Sequence, residues 1–203
     1  MKKSFVGDDA IPICADVRKF DFDRLLSKQL EIGQRQFDVI MMDPPWKLST
    51  SQPSRGVAIQ YHSLNDEAIE NLPIPKLQSE GFLLVWVINA KFQFTVQAME
   101  KKWGYKVIDI INWIKKTVNG KIAKGHGFYL QHAKESCIVG YKGNFKNFEK
   151  NKACDIIFSE RRGQSQKPTE IYEYVEELVP NGYYLEIFGR RNNLRDRWVT
   201  IGN

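Results

Sequence analysis

The sequence predicts an α/β protein with helices on both faces of a central sheet. Three observations carry this. Short apolar segments recur along the whole chain, and several are apolar nearly throughout, as strands covered on both faces must be. Segments with apolar residues at helical spacing lie between them. The two kinds alternate, which is the order of strand–helix–strand units.

In chain order, Ile11 to Ala15 is the first strand candidate. Asp21 to Ile32 is the first helix, with Phe22, Leu25, Leu26, Leu30 and Ile32 on a broad apolar face. Phe37 to Met42 is the second strand, and Asn65 to Asn71 a short helix that Asn65 can cap. Phe82 to Ile88 is the longest apolar run. Lys91 to Trp103 carries Phe92, Val96 and Met99 at helical spacing and stops at Gly104. Strands follow at Val107 to Ile114, Ser136 to Tyr141 and Asp155 to Ser159. Pro168 to Val179 is a helix with Pro in its first turn and Pro180-Asn181-Gly182 after its end. Tyr183 to Phe188 and Trp198 to Ile201 complete the sheet. Leu48 to Tyr61 and Thr117 to His132 read as long loops, and such loops in a compact domain serve function or motion. With no internal repeat or long linker, residues 1–203 are expected to form a single domain.

Composition narrows the class. Hydrophobic residues make up 42% and charged residues 27%, as in ordinary globular proteins. The longest apolar run is far too short to span a membrane, and no apolar signal segment follows Met1-Lys2-Lys3. Cys14, Cys137 and Cys154 are odd in number and widely spaced, without CxxC or a histidine at ligand spacing. No metal is therefore expected, and the cysteines read as buried thiols in a reducing compartment. The formal charge of +6 fits a polyanionic partner without requiring one.

The chemistry concentrates in Asp43-Pro44-Pro45-Trp46, directly after the strand Phe37 to Met42. Ligands of open α/β sheets bind beyond the carboxyl ends of the strands, which is where this carboxylate falls. Proline has no N–H and a fixed φ, so the turn can present a carbonyl oxygen beside the carboxylate, with an aromatic ring behind. The exocyclic amine of adenine needs such a surface. Its lone pair is delocalised into the ring, and two acceptors gripping its two hydrogens favour a tetrahedral nitrogen. Trp46 would stack on the base. Alone, Asp-Pro-Pro is more often a simple turn, so the surrounding sequence has to decide.

Further segments do so. Gly81-Phe82-Leu83-Leu84-Val85-Trp86-Val87, Trp103-Gly104-Tyr105 and Lys134-Glu135-Ser136-Cys137-Ile138-Val139-Gly140 follow the tetrapeptide. Gln166-Lys167-Pro168-Thr169-Glu170, Glu186-Ile187-Phe188-Gly189-Arg190 and Ile201-Gly202-Asn203 come next, in that order. With these the chain resembles the DPPW-type adenine N6-methyltransferases, the family of the large subunit of the mRNA adenine methyltransferase (MT-A-seventy), from about Ile11 to Asn203. Within that family it is most similar to the ciliate DNA adenine methyltransferases.

The resemblance implies a Rossmann-like, S-adenosylmethionine-dependent methyltransferase fold with a mixed sheet, in which the catalytic motif precedes the cofactor-binding segment. It implies catalytic roles for Asp43, Pro44, Pro45 and Trp46. It places Asp16 and Val17 beside the cofactor's adenine, Asp43 near its methionine moiety, and Lys167 on the methionine carboxylate, where a point charge suits. It places Arg190, Arg191, Asn192 and Asn193 around the ribose, since asparagine both donates and accepts, with Asn203 on the adenine side. The family commonly has Pro-His where this chain has Arg191-Asn192, and fewer residues between the equivalents of Asp16 and Asp43. It further implies that both long loops border the active site, that a catalytically degenerate paralogous subunit forms a heterodimer with this one, and that the enzyme is nuclear.

Other features weigh less. Arg161-Arg162, Arg190-Arg191, Arg195 and Arg197 are basic clusters that either face solvent or touch phosphate. Gly125-His126-Gly127 lacks the third glycine and preceding strand of a phosphate cradle. His62, His126 and His132 read as surface or packing residues, with a nucleotide contact open to His62. Trp86 and Trp113 read as core. Glu135 falls near the active site by resemblance, without a catalytic role. A nicotinamide enzyme is disfavoured because the glycine-rich fingerprint is missing, and an inert nucleic-acid-binding subunit because all four DPPW residues are present. The similarity to the ciliate DNA adenine methyltransferases, with the Lys-, Asn- and Ile-rich composition expected of an AT-rich genome, implies DNA over RNA as substrate.

Overall fold

The computed structural model describes residues 9–47, 63–127, 129–163 and 166–202. Its strands are β1 (Ile11–Cys14), β2 (Val39–Met42), β3 (Gly81–Val87), β4 (Lys106–Lys116), β5 (Lys134–Lys142), β6 (Ile156–Glu160), β7 (Tyr184–Ile187) and β8 (Trp198–Gly202). The α-helices are α1 (Phe22–Gly33), α2 (Asp66–Glu70), α3 (Ile74–Leu77), α4 (Phe92–Gln97) and α5 (Glu170–Leu178). All eight predicted strands are present to within two residues at each end.

The strands form one sheet in the order β1-β8-β7-β2-β3-β5-β4-β6. β5 runs antiparallel to β3 and β4, while the other neighbours pair in parallel, so the sheet is mixed. Alternation sends Ile40 and Met42 to one face and Val39 and Met41 to the other; Leu83, Val85 and Val87 part from Phe82, Leu84 and Trp86 in the same way. The first face is covered by α1, α3 and the α4 region through Phe22, Ile74, Leu77 and Met99. The second is covered by α5 through Ile171, Tyr172 and Val175. Burial on both faces is why these strands carry almost no polar residues.

Local signals behave as their chemistry requires. Asp21 Oδ1 accepts from the Arg24 N–H at 2.9 Å and caps α1, and Asn65 Oδ1 accepts from the Ala68 N–H at 2.9 Å and caps α2. Gly104, at φ +74°, ends the helical stretch before β4. Trp86 and Trp113 are each 2% exposed, core residues as expected.

Four expectations need correction. The stretch Lys91 to Trp103 is not one α-helix: a 3₁₀ turn at Asn89–Lys91 leads into α4, and a π turn at Ala98–Lys102 follows. The wider turn lets Ala98, Met99 and Trp103 all bury. Thr117 to His132 is not a plain loop, since bridges Lys116↔Ile122 and Gly125↔His132 extend the β4–β5 hairpin past the sheet. Cys14 and Cys154 are exposed, and only Cys137 is the buried thiol. Leu30 and Ile32 are exposed, so the buried face of α1 is narrower than the spacing predicts and rests on Phe22, with Leu25 and Leu26 partly buried. Leu48 to Tyr61, together with His62 and Asn203, lies outside the described residues.

The ends of β7 and β8 approach closely. A Cβ on Gly202 would stand 1.8 Å from the Gly189 carbonyl oxygen, and one on Gly189 would stand 2.2 Å from Thr200 Cγ2. Gly202→Ala must part the strand ends and is expected to cost about 2 kcal/mol or more. Urea unfolding checks this; an unchanged midpoint would contradict it.

Candidate active site

From β2 the chain crosses to β3 on one side, and from β7 it crosses to β8 on the other. The connections therefore diverge between β2 and β7, and a crevice opens at the carboxyl ends of those strands. Asp43 follows β2 at that point, and Gly189 to Asn193 follow β7. Because β5 is antiparallel, its first residues, Lys134 and Glu135, arrive at the same edge.

Four charges alternate there. Lys167 Nζ lies 2.9 Å from Asp43 Oδ2 and 3.2 Å from Glu135 Oε2, and Lys115 Nζ bonds the other Glu135 oxygen at 2.5 Å. Lys167 is 11% exposed and sits 5.5 Å from the Trp86 ring centroid. Burial pushes the Asp43 pKa above its ordinary value, and the opposing pull of Lys167 does not cancel this. Burial acts the same way on Glu135, but the ammonium groups of Lys167 and Lys115 outweigh it and hold Glu135 below the usual range. Burial would lower Lys167, yet its two carboxylates keep it above the ordinary lysine value. Lys167 is thus a protonated cation between two carboxylates, one pushed up by burial and the other held down by its ammonium neighbours.

The prolines do not leave bare carbonyls. Pro44 O accepts from the Trp46 N–H at 2.8 Å, and Pro45 O from the Leu64 N–H at 2.9 Å. Each keeps one further lone pair. The Trp46 indole N–H donates to Trp86 O at 3.1 Å, and the ring meets Phe94 edge-on at 6.2 Å. Trp46 is a fixed wall rather than a mobile lid.

Across the crevice, Arg190 leads into a 3₁₀ turn at Arg191–Asn193. Arg191 and Asn192 are exposed, whereas the Asn193 amide donates to Tyr172 Oη at 2.7 Å and Glu186 Oε1 at 3.2 Å. Its amide donors face inward. Asp16 and Val17 follow β1 at the far end of the same edge. Val17 is buried, and Asp16 caps a 3₁₀ turn, its pKa lowered to about 2 by the Arg18 guanidinium and N–H. Three strand spacings separate β1 from β2, roughly 14 Å. The edge thus brings Asp16, Val17, Asp43, Lys167, Arg190, Arg191, Asn192 and Asn193 along one line.

Two basic residues weighed for phosphate contact are otherwise engaged. Arg195 makes two 2.7 Å bonds to Glu176, and Arg197 bonds Asn181 Oδ1 at 3.1 Å. They tie the β7–β8 connection to its neighbours. Arg161 and Arg162 are exposed, as are His126 and His132. Among the described residues no group of three or more His, Cys, Asp or Glu could hold a metal, and no helix is long and apolar enough to cross a membrane.

Sequence reasoning missed Lys115, Tyr172 and Glu186. Glu186 carried a signal: it is the one charge in the apolar run Tyr183 to Phe188. Lys115 carried none, because its place depends on how β4 and β5 pair.

A carboxylate–lysine pair in the switch-point crevice of a mixed α/β sheet defines a ligand-binding α/β protein of the Rossmann-like class. Residues 37–203 match the MT-A70 family, and the chain belongs to that family. The family's methyltransferases depend on S-adenosylmethionine. The chain is 37% identical over 193 residues to the N(6)-adenosine-methyltransferase catalytic subunit METTL3 of Homo sapiens, covering 94% of this chain and 30% of that protein. It is 35% identical over 170 residues to the N(6)-adenosine-methyltransferase MT-A70-like protein of Drosophila melanogaster, covering 83% and 27%. It is 27% identical over 208 residues to the non-catalytic subunit METTL14 of Drosophila melanogaster, covering 93% and 49%. The chain spans under a third of the length of the first two of these relatives.

Proposed function

We propose that this chain transfers a methyl group from S-adenosylmethionine to the N6 amine of adenine in a nucleic acid, in the nucleus, beside a catalytically degenerate paralogous subunit. The observation that carries this is Asp43, more basic than an ordinary carboxylate, ion-paired to Lys167 at the switch point.

The residues present fit the cofactor. It has a sulfonium beside an amino-acid group at one end and a nucleoside at the other. Asp43 and Lys167 offer one charge of each sign at one end of the edge, and Asp16, Val17 and the Arg190–Asn193 turn offer polar and apolar surface towards the other. Lys167 would hold the carboxylate, and Asn192 and Arg190 the ribose region, with Asn193 acting from below through its remaining acceptor. When bound, the cofactor supplies an electrophilic methyl group.

The chain's own residues supply the rest. Asp43, engaged by Lys167 through Oδ2, offers Oδ1 to one hydrogen of the amine. Pro44 offers its second lone pair to the other hydrogen. Together they localise the nitrogen lone pair, and the carboxylate stabilises the positive charge that grows on nitrogen. Trp46, pinned to Trp86 and Phe94, bounds the base laterally.

The resemblance to the ciliate DNA adenine methyltransferases leans to DNA, while the relatives named above are N(6)-adenosine-methyltransferases. An inert role has the METTL14 relative in its favour, but identity to catalytic subunits is higher and the Asp43–Lys167 pair is intact. Incubation with labelled S-adenosylmethionine, with and without the paralogous subunit, on matched DNA and RNA oligonucleotides tests this by mass spectrometry of N6-methyladenine. Asp43→Ala is the control, and no transfer to any adenine-containing oligonucleotide would sink the reading.

An amine inside a duplex cannot reach Asp43, so the base must leave the stack. Unpaired or mismatched adenine is expected to react at least tenfold faster than paired adenine under single-turnover conditions, since extrusion costs a few kcal/mol. Equal rates would mean that extrusion is not limiting.

A further inference from the structure

Glu135 lies at the start of β5, and alternation puts it on the second face of the sheet, that of Cys137 and Val139. Directly opposite in β4 stands Trp113, whose indole N–H donates to Ser159 O at 3.2 Å. Lys115 lies across that fixed ring, its Nζ 5.1 Å from the centroid, and bonds Glu135 Oε1. The other oxygen, Oε2, is 3.2 Å from Lys167 Nζ, which rests against a second buried tryptophan, Trp86. Glu135 is thus held from both sides by ammonium groups that are themselves backed by buried indoles.

The consequence falls on Asp43. A lysine ammonium has three donors on a flexible four-carbon stem, and a carboxylate offers it two equivalent oxygens. Here Lys167 spends one donor on Glu135 and one on Asp43. The one hydrogen bond that the Asp43 carboxylate accepts among the described residues falls on Oδ2, at 2.9 Å. Oδ1 is the oxygen that methyl transfer needs for the amine hydrogen. We infer that Glu135, braced by Lys115, is a positioning residue that holds Lys167 to Oδ2 of Asp43 and so keeps Oδ1 open for the target amine. This rests on the reading of Asp43 as the group that grips the amine. Without Glu135 the ammonium swings freely across both Asp43 oxygens. Without Lys115, Glu135 draws Lys167 away from Asp43.

The electrostatics run the same way. The negative charge of Glu135 adds to burial in raising the Asp43 pKa, and Lys167 opposes both. Arg190, from the turn beyond β7, also lowers Asp43, and Cys137, Tyr172 and Glu186 feel the Asp43 charge from the second face. Loss of Glu135 therefore lowers the Asp43 pKa, and loss of Lys115, which frees Glu135 to compete for Lys167, raises it.

The test uses the full chain with Glu135→Gln, which keeps one acceptor oxygen and loses the charge, with Lys115→Met, and with the double variant. Carbon-13 NMR of the Asp43 carboxyl in the ligand-free protein is expected to show its pKa fall in Glu135→Gln and rise in Lys115→Met. Added to Glu135→Gln, Lys115→Met is expected to shift nothing further, because Lys115 acts through Glu135. An undiminished shift there would show a direct field effect and overturn the bracing. In single turnover with labelled S-adenosylmethionine and an adenine-containing oligonucleotide, the plateau rate of Glu135→Gln is expected to fall about a hundredfold, the scale of a 1 Å misplacement at a reacting centre. The Kd of S-adenosylhomocysteine should stay within tenfold of wild type. A plateau rate within threefold of wild type, or a loss carried wholly by Kd, overturns the inference. If Glu135→Gln does not fold, Lys115→Met decides, and an Asp43 pKa that it leaves unmoved overturns the bracing. If wild type transfers no methyl group, the reading of Asp43 as the amine's acceptor fails. The NMR arm alone then decides whether Glu135 and Lys115 set the Asp43–Lys167 pair.

Discussion

Asp43→Asn is expected to slow methyl transfer roughly a thousandfold in single turnover, the scale seen when one preorganised electrostatic group is removed from a reacting centre. The cofactor Kd should change less than tenfold, because Lys167 keeps its 3.2 Å pairing with Glu135 and an amide oxygen can still accept from it. The loss then falls on the chemical step, as expected of a group that acts on the transition state. A rate within tenfold of wild type would remove Asp43 from the chemistry. The pH profile gives an independent reading. Asp43 must be ionised to grip the amine, and burial raises its pKa, so the wild-type rate climbs with pH along an acid limb placed above the ordinary carboxylate value. The asparagine variant has no such limb.

Lys167→Met is expected to act on binding and on stability. It removes the cation between Asp43 and Glu135 and leaves two carboxylates facing one another in a buried site. Breaking such a pair from one side costs about 3 kcal/mol or more, read as a fall in the urea midpoint at neutral pH. At least one carboxylate then titrates well above its unfolded value. A raised folded-state pKa gives stability at low pH that is lost on the way up, so the deficit should shrink as the buffer is taken towards pH 5. The acid limb of the methyl-transfer rate should move to higher pH, and cofactor Kd should rise about a hundredfold, or close to 3 kcal/mol. A variant with wild-type Kd and an unshifted limb would show that Lys167 only packs against Trp86.

Much of the fold is legible in the sequence alone. Strands buried on both faces must be apolar on both faces, so Val39 to Met42 and Phe82 to Val87 announced themselves, and the helices between them followed from spacing and caps. The position of Asp43 followed too, since a polar residue ending a buried strand can only lie at the sheet edge. Charge in a sequence does not say what it faces: within the basic clusters, Arg195 pairs with Glu176, whereas Arg161 and Arg162 are exposed.

By itself the sequence determined the strands, the edge at which Asp43 stands, and the family whose motifs surround it, because these depend on local patterning and on residue types in order. The tertiary structure alone decided that β5 runs antiparallel and delivers Glu135 and Lys115 to Lys167. It alone decided that Trp46 is pinned rather than free, and that Asn193 turns inward to a buried Glu186 instead of standing open. The physical reason is the same each time. Charge, protonation and hydrogen-bond partnership depend on distances between residues far apart in the chain, and strand order and direction set those distances.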